Sequence, residues 1–94
     1  MAKISTVEER KAWVHGMIDS AKFEYFPLGD TNFLAVIATF KDGWEVMGYS
    51  VCVSKADYVR EKGELYARED VIEKAKTHYW RTVGYLAHCG KEDI

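Results

Sequence analysis

The first twenty residues combine a helix-start signal with an apolar stripe at helical spacing. Ser5 and Thr6 are each followed three residues later by a glutamate, which is the pattern of a helix capping box. Beyond it, apolar side chains recur every three or four positions, at Trp13, Val14, Met17 and Ile18. The pattern predicts an N-terminal helix that ends near Ser20, within a first segment of residues 1–21.

The middle of the chain contains three short runs typical of β-strands. Residues 22–26 alternate aromatic and charged side chains, residues 32–40 are almost continuously apolar, and residues 44–53 form a third run. Between the last two runs, Asp42-Gly43 indicates a type I′ hairpin turn, which needs positive φ at both central residues. We therefore predict a three-stranded antiparallel meander over residues 22–53.

Neither face of this predicted sheet is polar. In the third strand, alternation places on one face Trp44, Val46, Gly48, Ser50 and Cys52, and on the other Glu45, Met47, Tyr49, Val51 and Val53. A domain with one sheet covers one face with its own helices. We expect a second chain on the other face and predict self-association, with a dimer favoured. In the competing explanation, the N-terminal and C-terminal helices divide the two faces between them.

The last part of the chain, residues 54–90, is expected to be helical. Ser54 with Asp57 provides a second capping pattern, and Gly63 is the predicted break between a short helix and a long one. The apolar stripe that should pack on the sheet consists of Leu65, Ile72, Ala75, Tyr79, Val83 and Leu86. The expected fold is a single α+β domain, residues 1–94.

Composition and charge narrow the classes of partner. The 94 residues are 48% hydrophobic, which is enough for one small core. The 13 basic and 15 acidic residues nearly cancel, and they form no basic run, so we expect no nucleic-acid binding. The longest apolar run is too short to cross a bilayer, and no signal peptide precedes the first helix. These features predict a protein of the cytoplasm with no membrane partner.

The residues that could carry chemistry do not form a recognisable site. The histidines His15, His78 and His88 have no metal-ligand spacing, and the two cysteines are interpreted as free thiols. The carboxylates Glu69 and Glu73 alternate with basic residues, as on a solvated helix face. We therefore expect no catalytic residue, no metal and no cofactor, and we do not expect an enzyme.

The aromatic residues are the more informative set, because a core of this size cannot bury every ring. Exposed Trp and Tyr with a neighbouring Arg are typical anchors of protein interfaces. The alternative is a satellite cluster under the N-terminal helix, and both interpretations stay open. The candidate binding residues are Trp44, Tyr49, Arg68, Trp80, Arg81 and Tyr85.

Residues 33–87 resemble a family of small tailed-phage proteins. The resemblance rests on residues 41–54, with a Lys-Asp-Gly turn and a Gly-x-Ser-x-Cys strand, on Ala67-Arg68-Glu69 after Gly63, and on Gly84-Tyr85-Leu86. The family is named after gene product 49 of coliphage N-four and gene 66 of Shigella phage Sf-six.

This chain departs from the family pattern in three ways. It is about three residues longer before Gly84-Tyr85-Leu86, it has Tyr49 where the family usually has an acid, and it has Lys55 where proline is common. The family has no established activity, so the resemblance implies no catalytic residue. It implies a phage-encoded accessory protein that works inside an infected bacterium.

Two hypotheses of function follow. The first is a host-takeover or anti-defence protein that binds a bacterial protein and inhibits or redirects it. The second is a homo-oligomeric small-molecule binder that sequesters a nucleotide signal, with rings stacking on the base and Arg68 or Arg81 at the phosphate. A flat apolar patch favours the first, and a pocket with convergent polar groups favours the second.

Overall fold

The chain folds as one antiparallel sheet with two helices, confirming the α+β prediction. The computed structural model describes residues 2–51 and 59–94. Its elements are helix α1 (Val7–Asp19), strands β1 (Lys22–Pro27), β2 (Phe33–Thr39) and β3 (Glu45–Val51), and helix α2 (Arg60–His88). The sheet order is β1-β2-β3, with both strand pairs antiparallel. The predicted continuation of the third strand to Val53 and the predicted helix start at Ser54 lie outside the described residues.

Helix α1 begins with a complete capping box at Thr6. The Thr6 hydroxyl accepts a hydrogen bond from the Glu9 amide at 3.1 Å, and the Glu9 carboxylate accepts one from the Thr6 amide at 3.0 Å. The Ser5 hydroxyl donates to the same carboxylate at 2.8 Å. Because Ser5 and Thr6 both stabilise the ionised carboxylate, the pKa of Glu9 is lowered. The helix then buries Val14 and Met17.

The hairpin between β2 and β3 lies where the sequence predicts it, but the predicted type I′ turn is wrong. Gly43 has a φ of +88°, and it is not preceded by a second left-handed residue, because within residues 2–51 only glycines have positive φ. The Gly43 amide donates to the Phe40 carbonyl at 2.8 Å, and the Phe40 amide donates to the Trp44 carbonyl at 2.9 Å. The loop Lys41-Asp42-Gly43 is therefore a three-residue connection that ends in a left-handed glycine.

Helix α2 runs without the predicted break at Gly63. It continues from Arg60 to His88, and the Gly63 carbonyl accepts a hydrogen bond of 2.8 Å from the Ser50 hydroxyl of β3. Through this hydrogen bond, Ser50 of the Gly-x-Ser segment connects the sheet to the first turn of the helix.

The buried stripe of α2 also differs from the predicted one. Leu65 was expected to pack on the sheet but is 42% exposed. The completely buried residues recur every four positions, at Ala67, Val71, Ala75, Tyr79 and Val83. A four-residue repeat rotates by about 40° per step around an α-helix, so the buried line winds as the helix crosses the twisted sheet. That winding turns Leu65 toward solvent.

Helix α2 makes its closest approach to the sheet at Gly48. A Cβ atom on Gly48 would lie 2.6 Å from Val71 Cγ2 and 2.9 Å from the Ala67 carbonyl oxygen. Both residues are completely buried and cannot move aside easily. Glycine is therefore needed at this position for α2 to pack at its observed distance.

Helix α2 lies on one face of the sheet, and α1 packs against α2 on that same side with little contact to the strands. Val14 and Met17 of α1 belong to one core cluster with Val36 and Ala38 of β2 and the buried stripe of α2. The alternative in which the two helices divide the faces is therefore wrong. The other face of the sheet is not covered by either helix.

Candidate functional site

The uncovered side of the sheet, called here the open face, is the first candidate surface. It consists of the residues of each strand that point away from the helices: Lys22, Glu24, Phe26, Phe33, Ala35, Ile37, Thr39, Glu45, Met47, Tyr49 and Val51. On this face the side chains of the edge strand β3 are well exposed, with Met47 at 59%, Tyr49 at 55% and Val51 at 53%. Exposed apolar side chains on one contiguous sheet face are typical of an interaction surface.

The open face changes from charged to apolar along the strands. At one end, Lys22 and Glu45 lie on either side of Thr39. Toward the other end, Phe26 and Tyr49 lie on either side of Ala35. In the row between them, Glu24 and Met47 lie on either side of Ile37, so charged side chains occupy the first two rows and the remaining rows are apolar.

The small side chain of Ala35 forms the floor of a shallow groove in the apolar part. The groove has a volume of about 380 Å³ and is lined by Leu28, Phe33, Ala35, Met47 and Tyr49. The rings of Phe33 and Tyr49 are tilted against each other with centroids 6.0 Å apart. The two rings therefore pack against each other on the open face.

The second candidate surface is the solvent side of the C-terminal half of α2. The α2 outer surface is defined here as Trp80, Arg81, Gly84 and Tyr85. Trp80 is 41% and Tyr85 68% exposed, and Arg81 is exposed between them. Arg81 and Tyr85 also line a shallow groove of about 470 Å³ with Lys74, Thr77, His78 and Thr82. All six lining residues belong to one helix. The groove is therefore a shallow depression between side chains on the helix surface and not an enclosed pocket.

Among the described residues, Gly84 has no packing partner that explains a glycine in the helix. Apart from its chain neighbours and the backbone of its own helix, none of their atoms lies within 4 Å of the position that a Cβ on Gly84 would occupy. A glycine in a helix interior costs about 0.5–1 kcal/mol relative to alanine. In contrast to Gly48, Gly84 exposes its backbone to solvent in the middle of the α2 outer surface.

Charge is distributed unevenly along α2. Residues 60–73 contain five acidic and three basic side chains, whereas residues 74–88 contain three basic side chains and no acidic one. Lys74 pairs with Asp70 at 3.0 Å and Lys76 with Glu73 at 3.4 Å. The α2 outer surface therefore lies in the basic half of the helix, which also suits the negative end of its dipole.

Trp44 is not part of either surface. Its ring stacks on His78 with centroids 3.8 Å apart and an interplanar angle of 11°, and it contacts Phe40 and Tyr79 through their ring edges or faces. Trp44 is half-buried on the helix side of the sheet. Its role in the structure is to join the start of β3 to α2.

Arg68 is also held between a helix and the sheet. Its guanidinium carbon lies 5.9 Å from the ring centroid of Phe23 in β1. Arg81 lies thirteen positions after Arg68 on the same helix, a distance of about 20 Å. The two arginines therefore do not converge on one ligand.

The six candidate binding residues thus lie in three places. Tyr49 is on the open face, Trp80, Arg81 and Tyr85 are on the α2 outer surface, and Trp44 and Arg68 pack between helix and sheet. Sequence reasoning did not include Gly84 among the candidates. The signal that could have identified it is a glycine inside a long helical pattern, with no turn to explain it.

One buried polar contact joins the hairpin loop to the core. The completely buried Tyr79 donates from its hydroxyl to Asp42 Oδ1 at 2.9 Å, and the Trp44 amide donates to the same oxygen at 3.0 Å. Burial and the neighbouring carboxylate raise the pKa of Tyr79 above its ordinary value. A neutral, buried phenol at this position stabilises structure and is not poised for proton transfer at neutral pH.

Among residues 2–51 and 59–94, His, Cys, Asp and Glu side chains form no group of three placed to hold a metal ion. The one cysteine in those ranges, Cys89, is exposed and has a free thiol. No helix in the described part of the chain is long and apolar enough to cross a membrane.

Comparison with known protein families gives one match. The phage protein (N4 Gp49/phage Sf6 gene 66) family matches residues 9–90. Neither the curated proteins nor the solved structures contain a match to this chain.

Proposed function

This chain belongs to the phage protein (N4 Gp49/phage Sf6 gene 66) family, and from that premise we propose that it is an accessory protein that binds a bacterial protein in the infected cell. In this proposal the bound protein is inhibited or redirected, as in host takeover or inhibition of a defence protein. The complex forms in the bacterial cytoplasm.

The α2 outer surface is the observation that carries the proposal. Trp, Tyr and Arg are the residue types that contribute most to binding at protein interfaces. Trp80, Arg81 and Tyr85 are exposed along about one and a half turns of helix, and no element formed by residues 2–51 or 59–94 covers them. Gly84 between them lets a partner approach the helix backbone closely, which accounts for a glycine that the fold itself does not need.

The charge of this half of α2 indicates the chemistry of the partner. With no acidic side chain between residues 74 and 88, the surface complements a protein patch that carries carboxylates beside an apolar cleft. Two of the three basic side chains in this half of the helix, Lys74 and Lys76, already pair with carboxylates on the same helix. A nucleic-acid backbone needs several basic groups that neutralise phosphates together, so a protein partner fits this surface better.

The shape of the surfaces argues against the small-molecule alternative. A nucleotide site is normally a concave pocket with a few convergent polar groups. In the described residues, the groove that includes Arg81 is formed by one convex helix, and Arg68 lies over Phe23 about 20 Å away. These features favour a flat contact with a protein.

The proposal is tested by photo-crosslinking in infected bacteria. A photoreactive phenylalanine derivative replaces Tyr85 in one variant and Tyr66 in the control. Tyr66 is 57% exposed on the same helix but lies in its acidic half. We expect the residue-85 variant to form a covalent product with one bacterial protein, and the residue-66 variant to form none.

The crosslinked protein is then purified and its affinity measured against charge-reversal variants. Arg81→Glu should weaken binding by at least about tenfold, because it places a carboxylate against an acidic patch. Lys62→Glu, an exposed reversal in the other half of α2, is the matched control and should leave the affinity unchanged. Three results would contradict the proposal. The variants at residues 66 and 85 could give equal amounts of crosslinked product, or the two charge reversals could lose the same affinity. The chain could also bind only nucleic acid or a nucleotide.

A further inference from the structure

We propose that a second copy of this chain covers the open face. The two sheets pack face to face around a two-fold axis that runs parallel to the strands, with β2 of one copy over β2 of the other. This inference concerns the opposite side of the molecule from the α2 outer surface and does not depend on the proposed function.

The size of the apolar area supports an occupant of this kind. Phe26, Leu28, Phe33, Met47, Tyr49 and Val51 are each between 40% and 59% exposed. Together they expose on the order of 500 Å², a patch at the upper end of what monomers leave uncovered. With the surrounding rim, one copy can bury an area close to the roughly 800 Å² per partner of a standard interface. A second sheet at the usual distance of about 10 Å would cover this area completely.

The positions of the charges select a second copy and its orientation. In the described part of the chain, Lys22 on β1 and Glu45 on β3 form no ion pair, and they lie in the same row on either side of Thr39. A two-fold axis parallel to the strands places β1 of one copy over β3 of the other and keeps each row at the same end. Lys22 of each copy then faces Glu45 of the other. Glu24, the remaining charge of the open face, lies opposite Met47 of the other copy, in the row next to this pair.

The same operation matches the apolar rows. Phe26 of one copy faces Tyr49 of the second copy, and the two Ala35 side chains lie opposite each other at the axis, where their small size leaves room for the surrounding rings. An axis perpendicular to the strands would instead place the charged row of one copy over the apolar rows of the other. The open face is therefore complementary to itself in one orientation.

The dimer would have four layers, with the two sheets inside and the helices outside. The α2 outer surfaces of both copies would then face solvent on opposite sides. Binding of a bacterial protein to the α2 outer surface and dimerisation through the open face are therefore independent of each other and can be tested separately.

Sedimentation velocity of the purified full chain tests the inference. At micromolar concentration we expect about 21.6 kDa, twice the 10.8 kDa of one chain. Tyr49→Lys and Met47→Lys should each weaken dimerisation by at least about tenfold, because each buries a charge in an apolar interface. Both side chains are more than half exposed in one chain, so circular dichroism should show the folded monomer. A monomer mass for the unmodified chain, or a dimer that both variants leave intact, would overturn the inference.

A charge exchange tests the orientation. Lys22→Glu alone and Glu45→Lys alone should each weaken the dimer, since each places like charges opposite each other. The double variant restores the opposite charges between copies and should recover most of the lost affinity. Lys62→Glu, on α2, is the control and should have no effect. If the double variant is as weak as the two losses combined, the proposed orientation is wrong.

Discussion

The hydroxyl of Tyr79 donates a hydrogen bond of 2.9 Å to Oδ1 of Asp42, which lies 37 residues earlier in the hairpin loop. The same carboxylate oxygen accepts the Trp44 amide, so one side chain shapes the loop and joins it to α2. Trp44 in turn stacks on His78, the residue before Tyr79. The hairpin loop is therefore attached to the helix by both a hydrogen bond and a ring stack.

Replacement of Tyr79 by phenylalanine should destabilise the protein by about 1 kcal/mol. The change keeps the buried ring and removes a hydrogen bond to a charged group. The cost stays at the low end because Asp42 is exposed to water and keeps its bond to the Trp44 amide. Urea unfolding measures it, and Tyr66→Phe, at an exposed tyrosine, is the control that should change nothing. A Tyr79→Phe variant as stable as the parent would contradict the role given to this bond.

The same residue predicts the behaviour of the protein in alkali. Because the pKa of Tyr79 is raised in the folded state, folding favours the neutral phenol. Its contribution to the free energy of unfolding is complete below the ordinary tyrosine pKa of about 10 and is lost as the pH rises above it. Between pH 9 and 11 the parent should therefore lose stability more steeply than Tyr79→Phe. Parallel stability curves would show that Tyr79 ionises equally well in the folded chain.

Gly48→Ala should cost about 1–3 kcal/mol, because the added methyl would overlap Val71 and the Ala67 carbonyl. Gly84→Ala is the matched control. It adds the same methyl to a glycine with open space around it, and helix propensity predicts that it is neutral or stabilising by up to about 1 kcal/mol. Thermal unfolding of the two variants should therefore shift in opposite directions or by clearly different amounts. Equal shifts would mean that α2 does not approach β3 as closely as described.

Gly43→Val should destabilise the hairpin by on the order of 1–3 kcal/mol, because a β-branched residue tolerates a φ of +88° badly. Gly43→Asn is the comparison, since asparagine adopts left-handed conformations more readily and should cost less. The order Gly, Asn, Val in unfolding midpoint is the expected result. A valine variant more stable than the asparagine variant would exclude a left-handed residue at this position.

Local signals in the sequence were sufficient for α1 and the three strands, but not for the continuous course of α2 through Gly63. The capping box of Thr6 with Glu9, the alternation around Tyr49 and the Asp-Gly pair each act within a few residues, and each lies where the sequence places it. The predicted turn type was wrong because it considered only the preference of Asp-Gly for a type I′ turn. In the folded chain the loop conformation also depends on the hydrogen bond between Asp42 and Tyr79. The prediction that Leu65 packs on the sheet was wrong because it assumed a constant period of 3.6 residues. The buried line of α2 instead winds around the helix as it crosses the twisted sheet.

The candidate surfaces depended on contacts between distant segments. The sequence could indicate that both faces of the sheet were apolar, but not that α1 would pack against α2 and leave the other face without a helix from this pair. It could not show that Trp44 stacks on His78, because the two residues lie 34 positions apart in the chain. Trp80, Arg81 and Tyr85 were accessible to sequence reasoning because neighbouring residues on one helix keep their relative positions in any fold.

Native mass spectrometry of the protein purified from infected bacteria tests the central claim that the chain acts by binding a bacterial protein. We predict a complex that contains two copies of the 10.8 kDa chain together with a bacterial protein, and two copies alone for Arg81→Glu. A chain that carries no bacterial protein, or that gains only the mass of a nucleotide, would contradict the account.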